Sequence, residues 1–397
     1  MSLGPNNSSL DGHALLADRV FDGQAWSAEA SVLVRRGRIV GRGSWADIPS
    51  DWPQTRLPPG AFLAPGFIDL QVNGGGGVLL NDQPTADGMR AIARAHRRYG
   101  TTACLPTLIT DTREKMRTAV AAARSIGGRD GILGLHLEGP FISPRRPGVH
   151  RPDRITQPGA HDVEELCELA GAGRSLVTLA PECVPAGFVR TLVSSGVRIS
   201  IGHSEATAAA VIQAVADGAT GVTHLFNAMP PLSARAPGII GATLADNRIT
   251  AGLIVDGIHV DPVSVRAAFA AKGSDRIALV TDAMPTVGTS LDHFELGGRT
   301  IKLVDGRLST DEGTLAGAHL DMASAVRNAV SLAGLPLEDA LRAATLTPAR
   351  FLGLDKERGA LVPGARADLV ALTQELTVVA TWVDGDIHDA ESADGLQ

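Results

Sequence analysis

Four ionisable residues stand at the far ends of short apolar runs: Glu138 in GILGLHLE, His203 in VRISIGH, His224 in TGVTH and Asp282 in RIALVTD. Two imidazoles and two carboxylates are the donor set of a divalent metal site. Glu138, His203 and His224 offer one carboxylate oxygen and two imidazole nitrogens, the set of a catalytic zinc or similar ion with a position left open for water. Asp282 reads either as a further ligand or as a base beside that water. His136 shares strand parity with Glu138 and reads as a buried histidine behind the site.

These residues act together only if the chain brings them to one place. From Gly66 to Asp282 eight apolar runs alternate with helix-like stretches: 66–73, 101–107, 131–138, 175–181, 197–203, 220–224, 249–256 and 276–282. Runs of this length without polar alternation read as strands buried on both faces of a parallel sheet. Eight repeats of strand and helix match a (β/α)8 TIM-type barrel, in which every strand opens its C-terminal end onto the same face. The intervening stretches fit: SEATAAAVIQAVADG has Ser204 as a helix cap and Gly218 as a stop, predicting a helix over 205–217. ADGMRAIARAHRRYG and DVEELCELAGAG also close on glycine.

The flanks differ in character. ALLADRVFDG, ASVLVRRGRIVGRG, ARADLVALT and TVVATWVDG alternate polar with apolar residues and turn on Asp-Gly or Arg-Gly-Arg, as short antiparallel strands do. The expected class is therefore α/β: a barrel over 65–359, and a small β-sandwich domain built from both termini, 1–64 and 360–397, the first residues being disordered or a tag. Asp305-Gly306 marks a hairpin inserted at about 290–316, after the eighth strand and over its open face.

Bulk properties restrict the partners. The 397 residues are 44% hydrophobic and 20% charged, and the net charge of −7 is spread without acidic or basic blocks. That argues against nucleic acid and polybasic membrane attachment and favours a small-molecule substrate. Three cysteines without CxxC spacing, no apolar run long enough to span a bilayer and no basic-then-apolar leader suggest a reducing, cytoplasmic setting.

HLEGPFISPRRPGVH, IGHSEAT, VTHLFNAMPPL, GLIVDGIHV, LVTDAM, TLAG and PGFIDLQVNGGGG together resemble the N-acetylglucosamine-6-phosphate deacetylases of the amidohydrolase superfamily, over nearly the whole chain. The resemblance implies that Glu138, His203 and His224 bind one catalytic metal, zinc or alternatively iron or another divalent ion, and that Asp282 transfers protons. It implies that His150 contacts the acetamido carbonyl. It further implies that Val149, Asn227, Ala228, Arg235, Asp256, His259 and Leu315-Ala316-Gly317 hold the sugar phosphate. The implied reaction converts N-acetyl-D-glucosamine 6-phosphate to D-glucosamine 6-phosphate and acetate, in a homodimer where a neighbouring subunit can complete the phosphate site. The galactosamine epimer is an alternative substrate, and a non-catalytic metal-binding barrel a remote one.

Many amidohydrolases carry His-x-His at the end of strand one to hold a second metal. Here the position reads Gln71-Val72-Asn73, and amides are poor ligands beside imidazole, so one metal is expected. The glycines 74–77 lack a GxxxxGK[ST] frame and read as a close-approach loop rather than a phosphate cradle. Arg235, with a guanidinium suited to bidentate capture of a dianion, and His259 are the better phosphate candidates.

Overall fold

The computed structural model describes residues 12–159 and 161–389, so the expectations for the first residues and for the end of the 360–397 segment lie outside the described residues. The eight apolar runs form one all-parallel sheet whose spatial order is their order in the chain. Its strands are Phe67–Val72, Thr101–Ile109, His136–Glu138, Leu176–Leu179, Arg198–Ile201, Gly221–Val222, Thr250–Leu253 and Ile277–Leu279. The first and eighth strands meet through a parallel bridge between Val72 and Ala283, and Asp282 N–H donates to Gln71 O at 3.0 Å. These contacts bring the sheet edges together as a barrel.

Several strands are shorter than their apolar runs. Ladder pairing stops where the backbone turns toward the barrel mouth, and His203, His224 and Asp282 lie just past the pairing, at φ of 48°, 30° and 51°. Left-handed backbone is costly for residues with a Cβ and persists only where surrounding contacts over-determine it. Here it recurs at three of the four residues from which the chemistry was read.

Helices Ala86–Arg97, Arg113–Ile126, Ala208–Ala216, Pro262–Lys272 and Met322–Ser331 open on Thr85, Thr112, Thr207, Asp261 and Asp321, each accepting a first-turn N–H. The helix expected over 205–217 therefore begins later, at Ala208, and its cap is Thr207. Ser204 stands ahead of this helix, its hydroxyl donating to Glu182 at 2.7 Å and accepting from Ala206 N–H at 3.0 Å.

His13–Phe21, Trp26–Arg35, Arg38–Ser44, Gln54–Arg56 and Phe62–Pro65 join Leu369–Leu372, Val378–Val383 and Asp386–Asp389 in one eight-stranded sheet from both ends of the chain. Its edge strand is tied back by Ile39 N–H donating to Ala365 O at 2.8 Å, so the sheet folds over a core of its own that includes Leu15, Val32, Leu63 and Trp382.

Arg358 and Asp368, each with only 4% of its side chain exposed, are ion-paired just before the strand Leu369–Leu372. Burial pushes the Asp368 carboxyl up, against the pull of the guanidinium. Removing one member of such a pair strands the other, so Arg358→Met is expected to lower unfolding stability by about 3–5 kcal/mol, measured by urea denaturation.

The inserted hairpin is a three-stranded antiparallel sheet, His293–Leu296, Arg299–Val304 and Arg307–Ser309. Asp305 and Gly306 at its second turn have φ of 50° and 78°, as a two-residue hairpin turn of the primed kind requires. Phe294, Leu296, Ile301 and Leu308 pack with Ile109, Val149 and Met284, which places the hairpin on the side of the strand ends. No helix among the described residues is long and apolar enough to cross a membrane.

Candidate metal centre and substrate cavity

At the barrel mouth Glu138 Oε1 lies 3.1 Å from His203 Nε2 and 3.0 Å from His224 Nε2, and the two nitrogens are 3.0 Å apart. All three residues are buried. His203 Nδ1–H donates to the Arg146 carbonyl at 2.9 Å, which leaves Nε2 of the neutral ring with a lone pair aimed into the cluster. Three electron-pair donors crowded at this separation fit a shared cation, because tetrahedral ligands on zinc stand about 3.3 Å apart for bonds near 2.05 Å. The electrostatics agree. Burial raises the Glu138 carboxyl, but hydrogen bonds and charge from His203 and His224 outweigh it and hold it well below the usual range. Burial lowers His224, but Glu138 raises it further. The field that draws a proton to this cluster also draws a metal cation.

A looser grouping exists: Glu138, His150 and His203 each present a ligand atom within 4.8 Å of the others. Glu138, His203 and His224 are the tighter set, since both imidazoles touch one carboxylate oxygen. His150 lies beside them, its ring centroid 4.4 Å from that of His203 and tilted to it by 52°. Its Nδ1 is 2.7 Å from Thr110 Oγ1, whereas the same hydroxyl reaches Glu138 O only at 3.3 Å. With the Thr110 proton along the shorter contact, Nδ1 accepts and Nε2–H is the free donor; with that proton on Glu138 O, Nδ1–H donates to Thr110 instead. Burial, then the neighbouring His203, pushes His150 down to about 3, so the ring is neutral near pH 7. Thr110→Val is expected to slow turnover about tenfold, the low end of losses for groups that orient a site's histidines, read as kcat with KM unchanged.

Asp282 is held by amides. Its Oδ1 accepts from Gln71 Nε2 at 3.1 Å and Asn73 Nδ2 at 2.5 Å, and Gln71 Nε2 also reaches Glu138 Oε1 at 3.1 Å. The Gln-x-Asn pair thus spends its donors on the two carboxylates. Burial, then the negative charge of Glu138, raises Asp282 to about 6. His136 is buried, with Nδ1–H on Leu70 O at 3.1 Å and Nε2 accepting from Thr178 at 2.8 Å. Burial lowers it to about 4, keeping it neutral behind the site.

Above the cluster opens a cavity of about 380 Å3. Val149, His150, Asn227, Ala228, His259, Leu315 and Gly317 line it together with the four strand-end residues. Gly317 has φ of 61°, and a Cβ there would stand 2.8 Å from Asp282 O, so glycine is required. Ala316 turns instead into the apolar cluster under the hairpin. Asp256 is not among the cavity residues; it accepts from His259 Nδ1–H at 2.6 Å, leaving Nε2 free. Burial raises Asp256, but the His259 contact and two backbone N–H groups lower it below the ordinary range.

Arg235 is exposed and is not among the cavity residues. Arg145 and Arg146 line the wall instead. They belong to the Pro/Gly-rich loop carrying His150, and sequence reasoning passed over them because loop charges are ordinarily solvated. Thr110 also went unnoticed, although it directly follows a buried strand. The glycine loop approaches the barrel closely: Asn73 N–H and Gly74 N–H both donate to Ala283 O at 2.9 Å, and His96 Nε2–H donates to Gly74 O at 2.9 Å.

The amidohydrolase family profile matches residues 62–388. The chain belongs to the amidohydrolase family. Among its relatives, this amidohydrolase is 42% identical to an N-acetylgalactosamine-6-phosphate deacetylase of Shewanella sp. (strain ANA-3), across 91% of this chain and 93% of the relative. It is 37% identical to an N-acetylglucosamine-6-phosphate deacetylase of Haemophilus influenzae, across 82% and 86%. In three dimensions the amidohydrolase superposes on the N-acetylglucosamine-6-phosphate deacetylase of Pasteurella multocida with a TM-score of 0.92 at 35% identity, covering 96% of this chain and 100% of that one.

Proposed function

We propose that this amidohydrolase hydrolyses the acetamide of an N-acetylhexosamine 6-phosphate, releasing acetate and the amino sugar phosphate, with N-acetyl-D-glucosamine 6-phosphate as substrate. The observation that carries the reading is the convergence of Glu138, His203 and His224 at the floor of a cavity that Asp282 and His150 also line. These three residues hold one divalent ion, most simply zinc. When bound, such an ion lowers the pKa of water toward about 7 and polarises a carbonyl.

The chain's own groups perform the rest. An amide needs a proton removed from the attacking water and one delivered to the leaving nitrogen. Asp282, lifted by burial and by Glu138, can take the first and return it as the second. Gln71 and Asn73 keep its carboxyl in place for both steps. His150, neutral and capped at Nδ1 by Thr110, donates Nε2–H to the carbonyl oxygen as negative charge develops there. His259, oriented by Asp256, and the Asn227-Ala228 segment hold the sugar phosphate. Arg235, outside its own chain's cavity, serves the phosphate of a neighbouring subunit in a dimer.

The galactosamine epimer is the second reading, favoured by the 42% identity to the Shewanella enzyme. The test is acetate release by zinc-loaded protein from N-acetylglucosamine 6-phosphate, N-acetylgalactosamine 6-phosphate and unphosphorylated N-acetylglucosamine. Higher kcat/KM on the gluco phosphate supports the first reading, and higher kcat/KM on the galacto phosphate the second. Equal or better turnover of the unphosphorylated sugar refutes both.

A further inference from the structure

His203 stands in left-handed backbone at φ 48°, and the two residues after it are gripped from the neighbouring strand end. Ser204 Oγ donates to Glu182 Oε2 at 2.7 Å, and Glu205 N–H donates to Glu182 Oε1 at 2.6 Å. One carboxylate thus engages both residues that complete the turn, each with its own oxygen. Ser204 is fully buried, and its N–H donates to Ala228 O at 3.2 Å, so the same turn also reaches the loop that carries Asn227.

The ring of His203 is held from its other side. Its Nδ1–H meets the Arg146 carbonyl, and the Arg146 guanidinium is ion-paired with Glu205. Ser143 N–H donates to His203 O at 2.8 Å, and a Cβ on Gly148 would stand 3.3 Å from His203 Cε1, so the 143–150 loop lies directly against the residue. The chain of contacts runs from Glu182 to the Ser204-Glu205 backbone, from Glu205 to Arg146, and from the Arg146 carbonyl back to the His203 ring.

We infer that Glu182 is a positioning residue for His203. It pins the strained turn and, through Glu205, the arginine whose carbonyl orients the imidazole, so that Nε2 faces Glu138 and His224. Glu182 itself is not among the residues lining the cavity; it acts only through its neighbours. A ligand histidine whose second contact is loosened typically costs 10–100-fold in metal affinity. The inference rests on the reading of His203 as a metal ligand, and the two can fail separately.

The experiment measures zinc affinity by competition with a chromophoric chelator for the wild-type chain and for His203→Ala, Glu182→Ala, Glu182→Gln, Ser204→Ala and the Glu182→Ala/Ser204→Ala double variant. Glu182→Ala is expected to bind zinc about 10–100-fold more weakly and to lose kcat with KM little changed. The double variant should lose less affinity than the two single losses combined predict, because either change alone already breaks the hydrogen bond between Ser204 and Glu182. Glu182→Gln, which keeps one acceptor oxygen, should fall between, and it carries the comparison if Glu182→Ala fails to fold. Wild-type affinity in His203→Ala would overturn the ligand reading. Loss of zinc in His203→Ala with wild-type affinity in the Glu182 variants would overturn the positioning role alone.

Discussion

Asp282→Asn is expected to bind zinc as tightly as the wild-type chain and to turn over roughly 10²–10⁴-fold more slowly, the range that general acid–base catalysis contributes. The geometry favours a clean separation of the two effects. Asp282 Oδ1 accepts from Gln71 and Asn73, and an asparagine can offer its amide oxygen to the same two donors. Among the described residues Asp282 has no hydrogen bond to His203 or His224, so the ligand contacts remain while the group that carries the proton is gone. Zinc content by elemental analysis and kcat by acetate release decide it. Near-normal turnover with full zinc would remove Asp282 from the proton-transfer role.

His203→Ala has the opposite signature. It deletes one of three donors, strands the Arg146 carbonyl and leaves Glu138 with one imidazole in a site that water reaches poorly. The variant should surrender its zinc on dialysis against a chelator that the wild-type chain withstands, and its acetate release should fall to that of a protein-free control. Full zinc occupancy after dialysis would show that neither the Glu138, His203 and His224 set nor the looser Glu138, His150 and His203 grouping holds the metal.

The barrel was readable because a buried parallel strand leaves a local mark, an apolar run of several residues, and because eight such marks recur between helix-like stretches. The hairpin was readable from Asp305-Gly306, since few other pairs occupy left-handed backbone at two successive positions so readily. The start of the Ala208–Ala216 helix was misplaced for a reason local reading cannot supply. Ser204 has a capping side chain, but its hydroxyl is engaged by Glu182, 22 positions away, and by Ala206 N–H, and the helix opens on Thr207 instead.

The site divides in the same way. Which residues could bind a metal, and that they end strands of one barrel, follow from residue type and spacing alone. That Glu138, His203 and His224 meet within 3.1 Å, that Gln71 and Asn73 turn their amides on Asp282, and that His150 is buried with Thr110 on its Nδ1 depend on strands and loops distant in sequence. The exposure of Arg235 and the presence of Arg145 and Arg146 on the cavity wall belong to this second class. Sequence alone determined the elements and the donor inventory, because periodicity and residue chemistry are local properties. Tertiary structure decided tautomer, charge and reach, because each is set by whichever groups closure of the barrel brings within a few ångströms.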